Sequence, residues 1–241
     1  MTVTANSTLP SAAELEEARH RYDAVLTRIA RAADRAHRPA EDITLVGVAK
    51  RQPPQRILAG IAAGLRVIGQ SYIQEARDIR PLVEAALAGD PSLPQCALEW
   101  RMVGRLQRNK TGLALRLFDA IETVDRPELI QTLSRKCENA GQPLDVLIQV
   151  SLCGEPQKGG CQPDAIPPLA QLIAASPGLR LRGLMTIPGA NSDPEAARPP
   201  FRALRVLAET LGEFDPSLDK PALSMGMSGD LEVAVEEGAT L

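Results

Sequence analysis

A chain of 241 residues with 44% hydrophobic and 24% charged side chains is long enough for one sizeable core, and its composition excludes disordered and fibrous classes. A net charge of −3, with 27 basic residues scattered among 30 acidic ones, and an aromatic content of 2% supply neither the basic footprint nor the stacking surfaces of a nucleic-acid binder. No apolar run approaches the roughly 18 residues that span a bilayer, and Met1 to Pro10 lacks the basic and apolar regions of a secretion signal, so no membrane partner is expected and the cytoplasm is the expected compartment.

Residues 1–11 read as a flexible leader. Residues 12–37 then repeat apolar side chains at helical spacing (Leu15, Ala18, Tyr22, Val25, Leu26, Ile29), behind Ser11 and Glu14, the pair that forms a capping box. This helix has no strand before it. From Ile43 the pattern changes to short apolar runs at 43–49, 66–69, 98–104, 120–124, 144–152, 179–187 and 222–225. Between them lie helix-like segments such as 54–63, 73–87, 127–140, 163–175 and 199–211. Pro or Asp near their starts and Gly64, Gly141, Gly178 and Gly238 near their ends are the punctuation of βα units.

Near-continuous apolar strands in alternation with helices mean a parallel sheet covered by helices. Seven units and the beginning of an eighth predict one α/β domain over residues 12–241, a single (β/α)8-type TIM barrel with an extra N-terminal helix. No GxGxxG turn follows 43–49, which disfavours a doubly wound dinucleotide-binding sheet. Residues 231–237 read as the seventh barrel helix, Gly238 as its stop and Ala239-Thr240-Leu241 as the truncated start of an eighth strand. Two sheet edges would then lie open, so the expectation is a chain cut short or another element covering the gap.

Cys96, Cys137, Cys153 and Cys161 form no CxxC pair and have no histidine near them, which predicts free thiols and no metal site. His20 and His37 lie in the leading helix region, away from strand ends, and offer no general base. Glu236-Glu237 reads as a solvated helix face.

In a (β/α) barrel the functional groups sit at the carboxyl ends of the strands. Lys50 ends the first apolar run, and it is one of only five lysines among the 27 basic residues. A lysine at a buried strand end in so arginine-rich a chain suggests Schiff-base chemistry by a neutral amine of depressed pKa. A lysine that snorkels from the barrel rim is the equal alternative. The segment 223–230, Leu-Ser-Met-Gly-Met-Ser-Gly-Asp, runs from a strand through hydroxyls and glycines into a helix, a phosphate cradle or a capping turn without ligand. The segment 100–110, with the only tryptophan, is either a polar loop on the active face or, preferably, a solvated basic turn capped by Asn109. Lys158, in the loop 156–160, is expected to meet water.

These stretches, in this order, resemble the pyridoxal 5'-phosphate (PLP) homeostasis protein family, also called the YggS or PROSC family. Val48-Ala49-Lys50 is similar to its strand-end lysine segment and Gly69-Gln70-Ser71-Tyr72-Ile73-Gln74-Glu75 to its G-E-N-Y-x-Q-E segment. Gly104-Arg105-Leu106-Gln107-Arg108-Asn109-Lys110 resembles G-x-L-Q-x-N-K, Gly183-Leu184-Met185-Thr186-Ile187-Pro188 resembles G-L-M-x-I-P, and Ser224-Met225-Gly226-Met227-Ser228 resembles S-x-G-M-S. The resemblance implies a fold like the alanine racemase N-terminal domain, with PLP as cofactor on Lys50 as a Schiff base. It places the phosphate near Ser224, Gly226, Met227 and Ser228, with Ser71 and Met185 as further contacts.

It also implies a monomeric, PLP-binding homeostasis protein without established catalytic turnover, which keeps free PLP low and delivers it to apo PLP-dependent enzymes. The alternatives are a PLP-dependent amino-acid racemase, which needs a second base for which Tyr72 is the candidate, and an apo interaction protein. Three departures bear on these expectations. Gln70-Ser71 stands where the family usually has Glu-Asn, and Trp100-Arg101 where it usually has Trp-His. The family's R-x-G-x-x-[IL]-F-G segment, with an Arg facing the pyridine nitrogen, has no counterpart before Leu241. Its loss predicts weaker PLP binding, by about 1.5–3 kcal/mol per charge-assisted contact.

Overall fold

The computed structural model describes residues 9–153, 159–189, 191 and 193–241. Most of the leader and Lys158, with the greater part of its loop, lie outside the described residues. Helix α1 (Ala12–Arg35) opens on the expected capping box, in which the Glu14 amide donates to Ser11 Oγ at 3.3 Å and Ser11 N donates back to Glu14 Oε2 at 2.8 Å. It stops because His37 turns left-handed, at φ 53°, so that Arg38 N reaches Ala33 O at 2.9 Å and His37 N reaches Asp34 O at 3.0 Å. His37 is thus a helix-ending residue.

Strand β1 (Val46–Val48), helix α2 (Pro54–Ala63), strand β2 (Val67–Gln70) and helix α3 (Ile73–Gly89) begin the alternation. Proline at the first turn starts α2, and Gly64 at φ 128° ends it. A Cβ on Gly64 would stand 2.8 Å from the Tyr22 ring, so this glycine also lets α1 approach α2. There follow β3 (Glu99–Met102), α4 (Thr111–Leu117), β4 (Ala120–Val124), α5 (Pro127–Ala140), β5 (Leu144–Gln149), α6 (Ile166–Ala174), β6 (Leu179–Met185), α7 (Arg198–Glu209), β7 (Ala222–Ser224) and α8 (Leu231–Glu236). The sequence pattern missed α4, and it drew β1 from residue 43 and β5 to residue 152, both longer than the strands that form.

The seven strands of the described residues are parallel and neighbour one another in chain order, β1 to β7. The sheet curls: the Ser224 hydroxyl on β7 donates to Glu122 Oε2 on β4 at 2.5 Å, a bond that crosses the interior between strands three places apart. Among the described residues this is a TIM-like barrel without an eighth strand. The last residues enter that gap: Thr44 N, ahead of β1, donates to Thr240 O at 2.9 Å, while along β7 Thr240 N donates to Leu223 O at 3.0 Å and Met225 N to Leu241 O at 3.3 Å. Outside the gap lies α1, packed against α2 and α8. Its Arg28 donates to Glu232 at 2.6 and 2.7 Å, and Arg38 donates to Val235 O at 2.7 Å and Ala239 O at 3.0 Å. Helix α1 thus covers the outer side of the seam.

The main core lies between sheet and helices, where Trp100, Phe201, Leu58 and Ile121 are fully buried. Trp100 faces this layer, with the Arg80 guanidinium 5.7 Å from its ring centroid. The four cysteines are unpaired, and burial first, with Asp125 second, pushes the Cys161 thiol up to about 12. Among the described residues no helix is long and apolar enough to cross a membrane, and no cluster of metal-ligating side chains occurs.

Candidate functional site

Side chains alternate along a strand, so Val46, Val48 and Lys50 share one face of β1 and its extension while Gly47 turns toward Leu65, whose Cδ2 would lie 2.3 Å from a Cβ there. Lys50 itself sits in a turn two residues beyond the strand and is exposed. The buried strand end expected from sequence is therefore wrong: Val48 on the same face is 49% exposed, and Lys50 beyond it is exposed as well.

The backbone around Lys50 is nonetheless tightly held. Ala49 N donates to Gly69 O at 2.8 Å, and the Ala49 carbonyl accepts from Gln52 N at 3.1 Å and Gln70 Nε2 at 3.3 Å. Arg51 adopts φ 58°, uncommon for a residue with a side chain, and its N–H donates to Glu75 Oε2 at 2.8 Å. The Gln and Glu of the 69–75 segment thus brace the lysine turn from both sides.

Facing it across the mouth is the loop after β7. Gly226, at φ 97°, carries the sharp turn, and a Cβ there would stand 2.6 Å from that of Ala234. Met227 N donates to Asp230 Oδ1 at 2.5 Å, Asp230 N donates to Met227 O at 3.1 Å, and Ser228 O accepts from Arg28 Nη2 at 2.9 Å. Met185 ends β6, paired in register with Ser224 and 5% exposed.

Lys50, Ser71, Met185, Ser224, Gly226, Met227 and Ser228 all line one cavity of about 750 Å³, which runs from the barrel interior at Val103 and Glu122 out to Tyr22 and Arg28 of α1. An amine, hydroxyls and a glycine-bearing loop in a cavity of this size suit a small aldehyde with an anionic group.

The 104–110 segment divides. Gly104 is structural, since a Cβ there would lie 2.1 Å from Ser71 O where the loops after β2 and β3 meet. Arg108 and Asn109 line a separate outer groove with Glu128 and Arg135. Asn109 does not cap the turn; the Thr111 hydroxyl donates to Arg108 O at 2.9 Å instead.

Sequence reasoning missed Glu122. It is fully buried on β4, lines the cavity, and pairs with Arg101, which also donates to Glu99. The signal was present: one carboxylate inside the apolar run 120–124, and charges at alternate positions of β3. The arginine and tyrosine that α1 sends to the cavity, Arg28 and Tyr22, had no such signal.

Comparison with known proteins agrees with this architecture. The family model of the alanine racemase N-terminal domain matches residues 21–239. The pyridoxal phosphate homeostasis protein of Vibrio cholerae is 39% identical over 218 residues, 90% of this chain and 89% of that protein. A crystal structure of an unknown protein from Bifidobacterium adolescentis superposes with a TM-score of 0.87 at 33% identity, covering 96% of this chain and 94% of that one. PipY of Synechococcus elongatus, in its form with PLP bound, gives a TM-score of 0.73 at 30% identity, covering 89% of this chain and 94% of that one.

Proposed function

The chain belongs to the pyridoxal phosphate homeostasis protein family, with the alanine racemase N-terminal domain as its barrel, and from that premise we propose that it holds PLP reversibly at the barrel mouth. The observation that carries this reading is the convergence of Lys50 and the Ser224–Ser228 loop on one cavity, from strands at opposite sides of the seam. The cavity lies within the roughly 300–1,000 Å³ range of small-molecule sites, and its donor set fits the cofactor's two handles.

The cofactor's chemistry is that of an aldehyde able to link reversibly to a primary amine. The Lys50 amine adds to that carbon and water leaves, forming a Schiff base. The Glu75 and Gln70 contacts keep the lysine turn in place while the side chain swings. Ser224, Ser228 and the backbone of Gly226 are the groups for the phosphate, with Met227, whose N–H is held by Asp230, shaping the loop between them; Ser71 contributes a hydroxyl, and Met185 supplies an apolar wall. The exposure of Lys50 gives the bond access to water, which a protein that hands PLP on to apo enzymes needs for release.

The racemase reading requires a second base beside the lysine. Tyr72, its candidate, is 47% exposed and is not among the cavity-lining residues, which favours carriage over turnover.

The test is to mix the apo protein with PLP, record visible absorbance, reduce with borohydride and locate the adduct by peptide mass. The expected adduct is on Lys50 and is abolished in Lys50→Ala. An adduct elsewhere, or an unchanged band in the variant, overturns the assignment. Rapid formation of D-alanine from L-alanine would replace carriage with racemisation.

A further inference from the structure

Ser224 has one hydroxyl hydrogen, and in this structure it is given to Glu122 Oε2, at 2.5 Å. The partner is firmly placed: Glu122 is fully buried, and its Oε1 accepts from Arg101 Nε, while Arg101, 6% exposed, has Glu99 as a second counter-charge. A phosphate monoester near neutral pH carries about 1.5 to 2 negative charges and acts as an acceptor. As oriented here, Ser224 offers such a group only lone pairs, with a carboxylate directly behind them.

The geometry points to Glu122 as a positioning residue that sets the affinity of the site, by holding the Ser224 hydroxyl away from the phosphate and keeping cofactor binding loose. This rests on the proposed PLP site and adds to it a built-in reason for release. Binding the phosphate through Ser224 requires that hydroxyl to leave Glu122, so every bound cofactor carries the cost of an abandoned charge-assisted bond. Like charge between the carboxylate and the phosphate acts in the same direction.

Replacing Glu122 by glutamine separates the two duties of the side chain. The amide oxygen can stay on Arg101, which keeps Glu99 as its counter-charge. The amide N–H then faces Ser224 Oγ as a donor and frees the hydroxyl hydrogen for the phosphate. Glu122→Gln is therefore expected to tighten PLP binding by about tenfold, the scale of one charge-assisted hydrogen bond. Binding of pyridoxal, which has the aldehyde but no phosphate, should stay within about twofold, because the change acts through the phosphate contact alone.

The experiment measures equilibrium binding of PLP and of pyridoxal to the 241-residue protein and to Glu122→Gln, Ser224→Ala and the double variant. Ser224→Ala should weaken PLP binding, and in its background the gain from Glu122→Gln should shrink to less than about threefold. A purely structural role for Glu122 would lower both affinities together and leave no such coupling. If the wild type binds PLP and Glu122→Gln binds it equally or more weakly, the inference is wrong and the PLP site stands. If the wild type binds no PLP, the site itself is wrong. Should Glu122→Gln fold poorly, Arg101→Gln/Glu122→Gln removes both charges together, so that only the freed Ser224 hydroxyl acts. It should still raise the ratio of PLP to pyridoxal affinity above that of the wild type, and a ratio equal or lower overturns the inference.

Discussion

Strands β4, β5 and β6 run for five, six and seven residues, and every residue of β4 is buried; β1 and β7, which flank the seam, have three each, and no residue of β1 is fully buried. The wall is held by apolar burial between sheet and helices, with Ile121, Val146 and Ile148 wholly inaccessible. The seam is held by a small apolar cluster of Ala32, Ala33 and Val235, by polar contacts from α1 to α8, and by the three terminal residues, which bond to Thr44, Leu223 and Met225. The cavity proposed for the ligand thus lies at the part of the barrel with the shortest strands, where local opening costs least.

The contrast can be broken from the wall first. Ile148→Ala should destabilise the protein by about 2–5 kcal/mol through lost burial and a cavity, seen as a lower denaturation midpoint, with the ratio of PLP to pyridoxal affinity unchanged. At the seam, Arg38→Ala leaves the Ala239 carbonyl without its donor and removes one bond from that of Val235, which keeps Gly238 N at 3.1 Å, and should cost about 1–3 kcal/mol. Faster amide exchange should then be confined to α8 and residues 239–241. Exchange that rises equally in β5 would show that seam and wall open as one unit.

Acid should separate the regions more gently. Hydrogen bonds from Arg28 hold Glu232 below the usual carboxylate range, and those from Arg198 do so for Glu236. For Glu237 burial pushes upward, but bonds from Arg202 and Arg198 outweigh it and the net direction is down. A carboxylate lowered in the folded state contributes stability above its unfolded pKa and loses it as pH falls through the folded value. The contacts of α8 with α1 and α7 should therefore loosen below about pH 4, given an ordinary glutamate near 4.3, before β4–β6 does. Exchange corrected for its intrinsic pH dependence would check this. The smallest effect is expected from His37→Gly, which relieves a left-handed residue at the end of α1 and should raise stability by up to about 1 kcal/mol in thermal melts.

Much of this was legible in the chain itself because the signals are local. The Ser11–Glu14 box, proline at the starts of α2 and α5, and Gly64 and Gly141 at their ends are backbone requirements that neighbouring residues satisfy alone. Helix α4 was not legible: Leu113, Leu115 and Leu117 alternate as a strand would, and only its place between β3 and β4 makes it helical. Glu122 was passed over because a lone carboxylate in an apolar strand has no meaning until β7 curls round to meet it.

Lys50 shows where the two sources of information part. Its scarcity, its position after an apolar run and the order of the surrounding motifs all belong to the sequence, and they single it out as the residue to examine. That it lies exposed in a left-handed turn, braced by Gln70 and Glu75 and opposite a serine whose proton is held by Glu122, was decided only by the tertiary structure. The physical reason is that strand order and sheet curvature bring together residues from β1, β2, β4 and β7, and contacts between groups so far apart along the chain leave no periodicity in the sequence.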